Sequence, residues 1–228
     1  MPRSVTLVVL FALWSAAALA VDSQDTLLLA QPDISERHIT FVYDGDVWVA
    51  NRDGSGAYRL TTAEGQESLP HFSPDGASIA FSGNYDGNID VYLVPIGGGS
   101  PKRLTWHSAD DLVEGFDHRG RVVFSSQSDV HAARDVHLFA IDPNTALPER
   151  LPIPRGVDAD ISPDGRTIAY AQTPPQAQWK AYRGGTVSRI AIMSFADHAL
   201  KRVPQPPSRC NDVNPYMEIG RASCRERV

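Results

Sequence analysis

His71-Phe72-Ser73-Pro74-Asp75-Gly76, followed at once by Ala77-Ser78-Ile79-Ala80-Phe81-Ser82, decides how this chain is read. Proline presets φ near −65° and glycine accepts a positive φ, so Ser-Pro-Asp-Gly reverses the chain within very few residues. The run after the turn is rich in the β-branched and aromatic side chains that half-buried strands favour. The element returns as Gly115-Phe116-Asp117-His118-Arg119-Gly120 before Arg121-Val122-Val123-Phe124-Ser125. A third copy is Asp160-Ile161-Ser162-Pro163-Asp164-Gly165 before Arg166-Thr167-Ile168-Ala169-Tyr170. The turn glycines Gly76, Gly120 and Gly165 lie 44 and 45 residues apart. A degenerate earlier copy runs from Asp33 through Ile34-Ser35-Glu36-Arg37 into His38-Ile39-Thr40-Phe41-Val42.

Each copy is followed by a second hairpin. Asp46-Val47-Trp48-Val49-Ala50 turns at Asp53-Gly54-Ser55-Gly56 into Tyr58-Arg59-Leu60-Thr61. Asp90-Val91-Tyr92-Leu93-Val94 turns at Gly97-Gly98-Gly99, and Asp135-Val136-His137-Leu138-Phe139 at Asp142-Pro143-Asn144. Asp46, Asp90 and Asp135 are again 44 and 45 residues apart. Two hairpins per period of about 45 residues make a four-stranded blade, and blades bury their faces only by packing side by side around an axis. The expected class is all-β: a β-propeller with blades at roughly 27–66, 67–110, 111–154 and 155–205, and the start of another at 206–217. The fourth copy breaks the period, with 53 residues from Asp135 to its counterpart Ser188. The excess falls in Thr173 to Gly185, an insertion expected between the first two strands of the blade, where surface loops carry function.

The two ends read differently from this middle. Residues 1–20 carry Arg3, an apolar run from Val5 to Leu13, and Ala18-Leu19-Ala20. That is the pattern of a secretory signal peptide, with an uncleaved N-terminal anchor as the alternative. The expected location is the periplasm or another exported compartment, with no membrane attachment after cleavage. Residues 218–228 turn abruptly Arg-rich and resemble the in-frame translation of a sequencing adapter; the alternative is a natural basic tail. Of 228 residues, 21 are Lys or Arg and 27 Asp or Glu; without Arg3, Arg221, Arg225, Arg227, Glu218 and Glu226, residues 21–217 keep 17 and 25, a net charge of −8. An acidic domain without a basic cluster is a poor nucleic-acid binder. Outside the tail Cys210 is the one cysteine, so no disulfide with Cys224 is invoked.

The serine-proline-aspartate-glycine strands resemble the broad TolB-like propeller group. The insertion is more specific: Trp179-Lys180-x-Tyr182-Arg183-Gly184-Gly185, with the strand around Ile190-Ala191-Ile192, looks like the fourth blade of the tricorn protease propeller. Leu27-Leu28-Leu29 leading to Pro32-Asp33-Ile34 resembles that family's start, as does Asp46-Val47-Trp48, and Asn211-Asp212-Val213-Asn214-Pro215 the opening of its next blade. The resemblance implies four blades of a six-bladed propeller, standing ahead of a second propeller, a PDZ domain and the catalytic domains of a serine peptidase that trims peptides. It implies that this segment is an access or exit domain, acting on peptides or unfolded polypeptide through a homo-oligomeric parent. A TolB-like periplasmic protein-interaction module is the alternative.

No catalytic residue is assigned from the sequence. There is no Gly-x-Ser-x-Gly elbow, and Ser73 and Ser162 sit in turns, where a hydroxyl bonds the local backbone. Asn84-x-Asp86-Gly87-Asn88-x-Asp90 faintly resembles a calcium loop but lacks the distal glutamate, and a hairpin turn explains it more simply. His131 and His137 have no third metal ligand nearby in sequence. No metal or other cofactor is expected. Trp179, Lys180, Tyr182 and Arg183 are the candidate surface, either contacting peptide or capping the blade. Trp48 and Trp106 are read as blade-packing residues.

Overall fold

The computed structural model describes residues 28–130, 135–145, 147–174, 187–204, 213–218 and 221–225, and among them there is no helix. Four antiparallel sheets of four strands follow one another along the chain. The first joins β1 (Ala30–Ile34), β2 (His38–Tyr43), β3 (Asp46–Asn51) and β4 (Tyr58–Arg59); the second β5 (Gln66–Phe72), β6 (Ser78–Asn84), β7 (Ile89–Pro95) and β8 (Lys102–Arg103). The third joins β9 (Asp111–Phe116), β10 (Val122–Ser126), β11 (His137–Ile141) and β12 (Pro148–Arg150); the fourth β13 (Val157–Ile161), β14 (Thr167–Ala171), β15 (Ile190–Ser194) and β16 (Leu200–Arg202). In each sheet strands pair in chain order, as consecutive tight turns dictate. β17 (Val213–Glu218) and β18 (Arg221–Arg225) form a further pair, and β17 lies against β13 and β14.

Alternation along the strands supplies both faces of every blade. Ile79 and Phe81 of β6 join Val47, Val49 and Leu60 of the first sheet in one buried cluster, while Ala80 between them joins the next, with Val113, Val122 and Phe124. Val123 in turn faces the fourth sheet, beside Ile168, Tyr170 and Met193. A period of two in sequence thus becomes three apolar joints between four sheets. Cross-strand aromatic pairs recur at one position: Phe81 stacks on Tyr92 (5.7 Å) and Phe124 on Phe139 (5.5 Å), each pair facing the preceding blade.

The outward face of the first sheet has no such neighbour among the described residues. Ile34 occupies the position of Phe72, Phe116 and Ile161 in the following sheets, yet it is 57% exposed.

Two expectations are corrected. Arg59, Arg103, Arg150 and Arg202 pair with Trp48, Tyr92, Phe139 and Ala191, which fixes the true alignment of the blades. By that register the counterpart of Asp46 and Asp90 is His137, not Asp135, because the link between β10 and β11 is longer than those between β2 and β3 and between β6 and β7. Likewise the extra residues of the fourth blade lie between its second and third strands, β14 and β15, rather than between the first two.

Candidate functional site

The inner strands β1, β5, β9 and β13 stand side by side, and with the turns that follow them they enclose a cavity of about 930 Å³. Its wall carries Asp33, His71, Glu114 and Asp160, one from each blade. A shared irregularity puts them there. Each inner strand has a β-bulge, and at three of them a non-glycine residue takes the left-handed region: Gln31 (φ 51°), Leu69 (52°) and Asp158 (48°). Such backbone persists only where neighbours hold it, and bulges re-aim side chains at sites. Here the neighbours are in the next blade. Leu69 N–H donates to Gln31 Oε1 (2.7 Å), Phe72 N–H to Asp33 Oδ2 (2.8 Å), and Ala159 N–H to Glu114 Oε2 (2.7 Å).

His71 Nδ1 lies 3.8 Å from Asp33 Oδ2. Partial burial pushes this imidazole below its ordinary value, against the opposing pull of Asp33 and Asp160. Glu114 is 9% exposed, and burial pushes its carboxyl up to about 8 despite bonds from Ser125 and the Ala159 amide. The cavity wall thus carries Asp33 and Asp160 together with the raised carboxyl of Glu114.

A second carboxylate bridges the first two blades at the opposite end of the inner strand. Glu67 of β5 accepts from Val47 N–H (2.9 Å), from the Thr61 hydroxyl and from the Tyr85 hydroxyl. Burial raises the Glu67 carboxyl and, with Glu67 beside it, the Tyr85 hydroxyl. Its counterpart in the third blade, Asp111, is one methylene shorter. Val91 N–H goes to Thr105 Oγ1 (2.9 Å), as Val47 N–H also goes to Thr61 Oγ1 (3.0 Å), and Asp111 Oδ1 is buried without a hydrogen-bond partner among the described residues.

On the outer hairpins Asp46 takes Arg59 (2.7 Å) and Asp90 takes Arg103 (2.6 Å). In the third blade Arg150 donates to His137 Nε2 (2.9 Å), and Asp129 meets both His137 Nδ1 (2.6 Å) and Arg150 (3.2 Å). Asp135 pairs with Arg155 (3.2 Å). The calcium-like stretch is spent within the protein as well. Asp86 and Asp90 both meet Arg103, and Asn88 Nδ2 donates to Asp90 Oδ2 and the His107 carbonyl. Among the described residues no group of three or more His, Cys, Asp or Glu could hold a metal ion.

Ser73 and Ser162 close their own turns, each donating to a following aspartate (2.6 Å) and accepting the N–H of the strand beyond (3.0 Å). Both hydroxyls are thereby committed to turn geometry. Trp106 is a correction: it is 63% exposed on the segment after β8 and packs no blade. Trp179, Lys180, Tyr182 and Arg183 lie outside the described residues, as do His131, Cys210 and the leader at 1–20. The cavity residues escaped sequence reasoning. The repeat alignment could have found them, because Asp33, His71 and Asp160 occupy one register position, two residues after each strained residue.

Comparison with known proteins agrees with this architecture. Residues 26–222 match the Tricorn protease N-terminal beta propeller domain. A tricorn protease homologue of Streptomyces coelicolor is 34% identical over 71% of the chain and 15% of its own length. The tricorn protease of Thermoplasma acidophilum is 28% identical over 72% and 16%. Among solved structures, the tricorn protease superposes with a TM-score of 0.68 at 22% identity, over 83% of this chain and 19% of that one. TolB from Agrobacterium tumefaciens gives 0.64 at 20%, over 83% and 66%. The chain spans 15–16% of these two curated relatives. With a matched span that covers nearly every described residue, the chain belongs to the family of the Tricorn protease N-terminal beta propeller domain.

Proposed function

We propose that this propeller is the non-catalytic access or exit gate of a tricorn-like serine peptidase, admitting or releasing peptides that downstream domains cut. The observation that carries the reading is the cavity of about 930 Å³ at the inner strands, in a chain of this family. Its carboxylate lining favours extended polypeptide with free amino or basic groups, and the turn serines are held in local bonds, away from chemistry. The parent is exported through residues 1–20 and assembles from like subunits.

Binding without cleavage is the test. Fluorescent peptides incubated with the 228-residue chain should show a rise in anisotropy that weakens with Asp33→Asn, and no hydrolysis. Cleavage by the chain alone, or binding indifferent to the cavity, contradicts the gate.

A second reading is a periplasmic TolB-like interaction module. The exposure of Trp106 favours it, since an ordered aromatic on a surface segment is a typical anchor for a protein partner. Trp106→Ala separates the two readings: it should abolish capture of a protein partner while leaving peptide binding in the cavity intact.

A further inference from the structure

One contact repeats around the rim of the outer strands. Tyr58 of β4, Lys102 of β8, Glu149 of β12 and Lys201 of β16 share a register position, each one residue before the arginine that aligns the blades. At the first joint the Tyr58 hydroxyl donates to the Ile96 carbonyl (2.6 Å), and at the second Lys102 Nζ donates to the Pro143 carbonyl (2.6 Å). The two acceptors are equivalent as well: Ile96 lies four residues after Tyr92, and Pro143 four after Phe139. The same count in the fourth blade, from Ala191, reaches Phe195. At the third joint the donor position holds Glu149, whose carboxylate only accepts, and it turns to Arg121 of its own blade (2.7 Å). That joint differs in a second way. Phe81 stacks on Tyr92 and Phe124 on Phe139, but in the fourth sheet Tyr170 pairs with Ala191. Bonds that do cross the third joint lie beside the cavity, where Ala159 N–H donates to Glu114 (2.7 Å) and His118 Nδ1 to the Gly165 carbonyl (3.0 Å).

We propose that the third joint is the hinge of this propeller, on which the fourth blade and the cavity wall it carries, residues 160–165, swing against the first three blades. Hydrogen bonds fix position, whereas apolar contact is non-directional and lets packed surfaces slide. A joint bonded at the axis and left without its strap at the rim therefore turns about its bonded edge. The cluster of Val123, Ile168 and Met193 between the two edges stays packed through a small swing. The first and second joints are held at both edges. Gln31 and Asp33 bond across the first near the axis, and Val113 N–H donates to Ser82 Oγ across the second (2.8 Å). The hinge stands whether or not the cavity passes peptides.

Distances between paired nitroxide labels on the 228-residue chain, with Cys210 and Cys224 replaced by serine, test it. Ser100→Cys with Thr145→Cys spans the second joint, and Thr145→Cys with Ala196→Cys the third, all at exposed positions. The pair across the third joint should show a second, longer distance maximum, and the pair across the second joint a single one. Glu149→Lys supplies the donor found at Lys102 and should remove the longer maximum. Glu149→Met, which gives up Arg121 without gaining a donor, should keep it. Lys102→Met should give the second joint a longer maximum of its own. Residues 102 and 149 are exposed, so these changes leave the apolar joints intact. Single maxima of equal width at both joints, a longer maximum that survives Glu149→Lys, or its loss in Glu149→Met overturns the hinge.

Discussion

The first and third joints of this propeller solve one problem with different chemistry. Both bury an apolar cluster, and both bridge the blades with a glutamate. At the first joint Glu67 has three donors around one carboxylate, and Gln31 and Asp33 lace the inner strands beside it. At the third, Glu114 has the Ser125 hydroxyl and the backbone at Asp158 and Ala159, with the Asp158 carboxylate opposed to it. Donors favour the charged form at both joints and burial outweighs them at both, lifting the Glu114 carboxyl to about 8. Apolar burial supplies the stability of both, and the polar bridge decides how each responds.

The comparison is broken most severely by emptying a cluster. Phe81→Ala removes a fully buried ring from the first joint and should cost about 3–5 kcal/mol in denaturant unfolding. Close behind is Gly165→Ala at the third joint. A β-carbon there would lie 2.4 Å from the His118 backbone nitrogen, at a φ of 65°. The clash and strain should cost about 2–4 kcal/mol and free the bond between His118 and the Gly165 carbonyl.

Replacing the two bridges sharpens the contrast. Glu67→Gln turns one acceptor oxygen into a donor facing hydroxyls and an amide, and should cost about 1–3 kcal/mol at pH 6. Glu114→Gln should cost under about 1 kcal/mol at that pH, because it resembles the protonated acid. The sign of the pH effect follows from the direction of the shift. A folded-state value of about 8 against an ordinary 4.5 means the native state holds the proton longer. That stabilisation is full below pH 4.5 and is lost as pH rises towards 8, so thermal midpoints should fall over that window and flatten in Glu114→Gln. The raised Glu67 and Asp111 carboxyls add terms of the same sign. The smallest effect belongs to the open face of the first sheet. Ile34→Ala should change stability by no more than about 0.5 kcal/mol, although the same change at the equivalent Phe72, 8% exposed, should be severalfold larger.

Much of the fold was legible because its signals are local. Ser73-Pro74-Asp75-Gly76 and Ser162-Pro163-Asp164-Gly165 name their turns, and alternation in Ile79-Ala80-Phe81 names both joints of one strand. What escaped depends on loop length or on distant partners. Asp135 kept the period in sequence, but the longer link before β11 moved His137 into its place. Trp106 follows Leu104 and Thr105, which are buried, and only the course of the segment after them turns its ring to solvent. Glu114 lies 45 residues from Ala159, and no spacing rule connects an acid to an amide in the next blade. The cavity was invisible for the same reason, since it is formed by four strands that meet only when the blades stand side by side.

The proposed gate is tested most directly by hydrolysis in the proposed tricorn-like parent, with the cavity open and obstructed. Glu36→Trp and Arg37→Trp place bulky rings at exposed positions of the cavity lining without disturbing a joint. Cleavage of long peptides should slow severalfold while that of a short reporter is unchanged. Equal rates for both lengths, with the substitutions in place, would contradict a passage through this propeller.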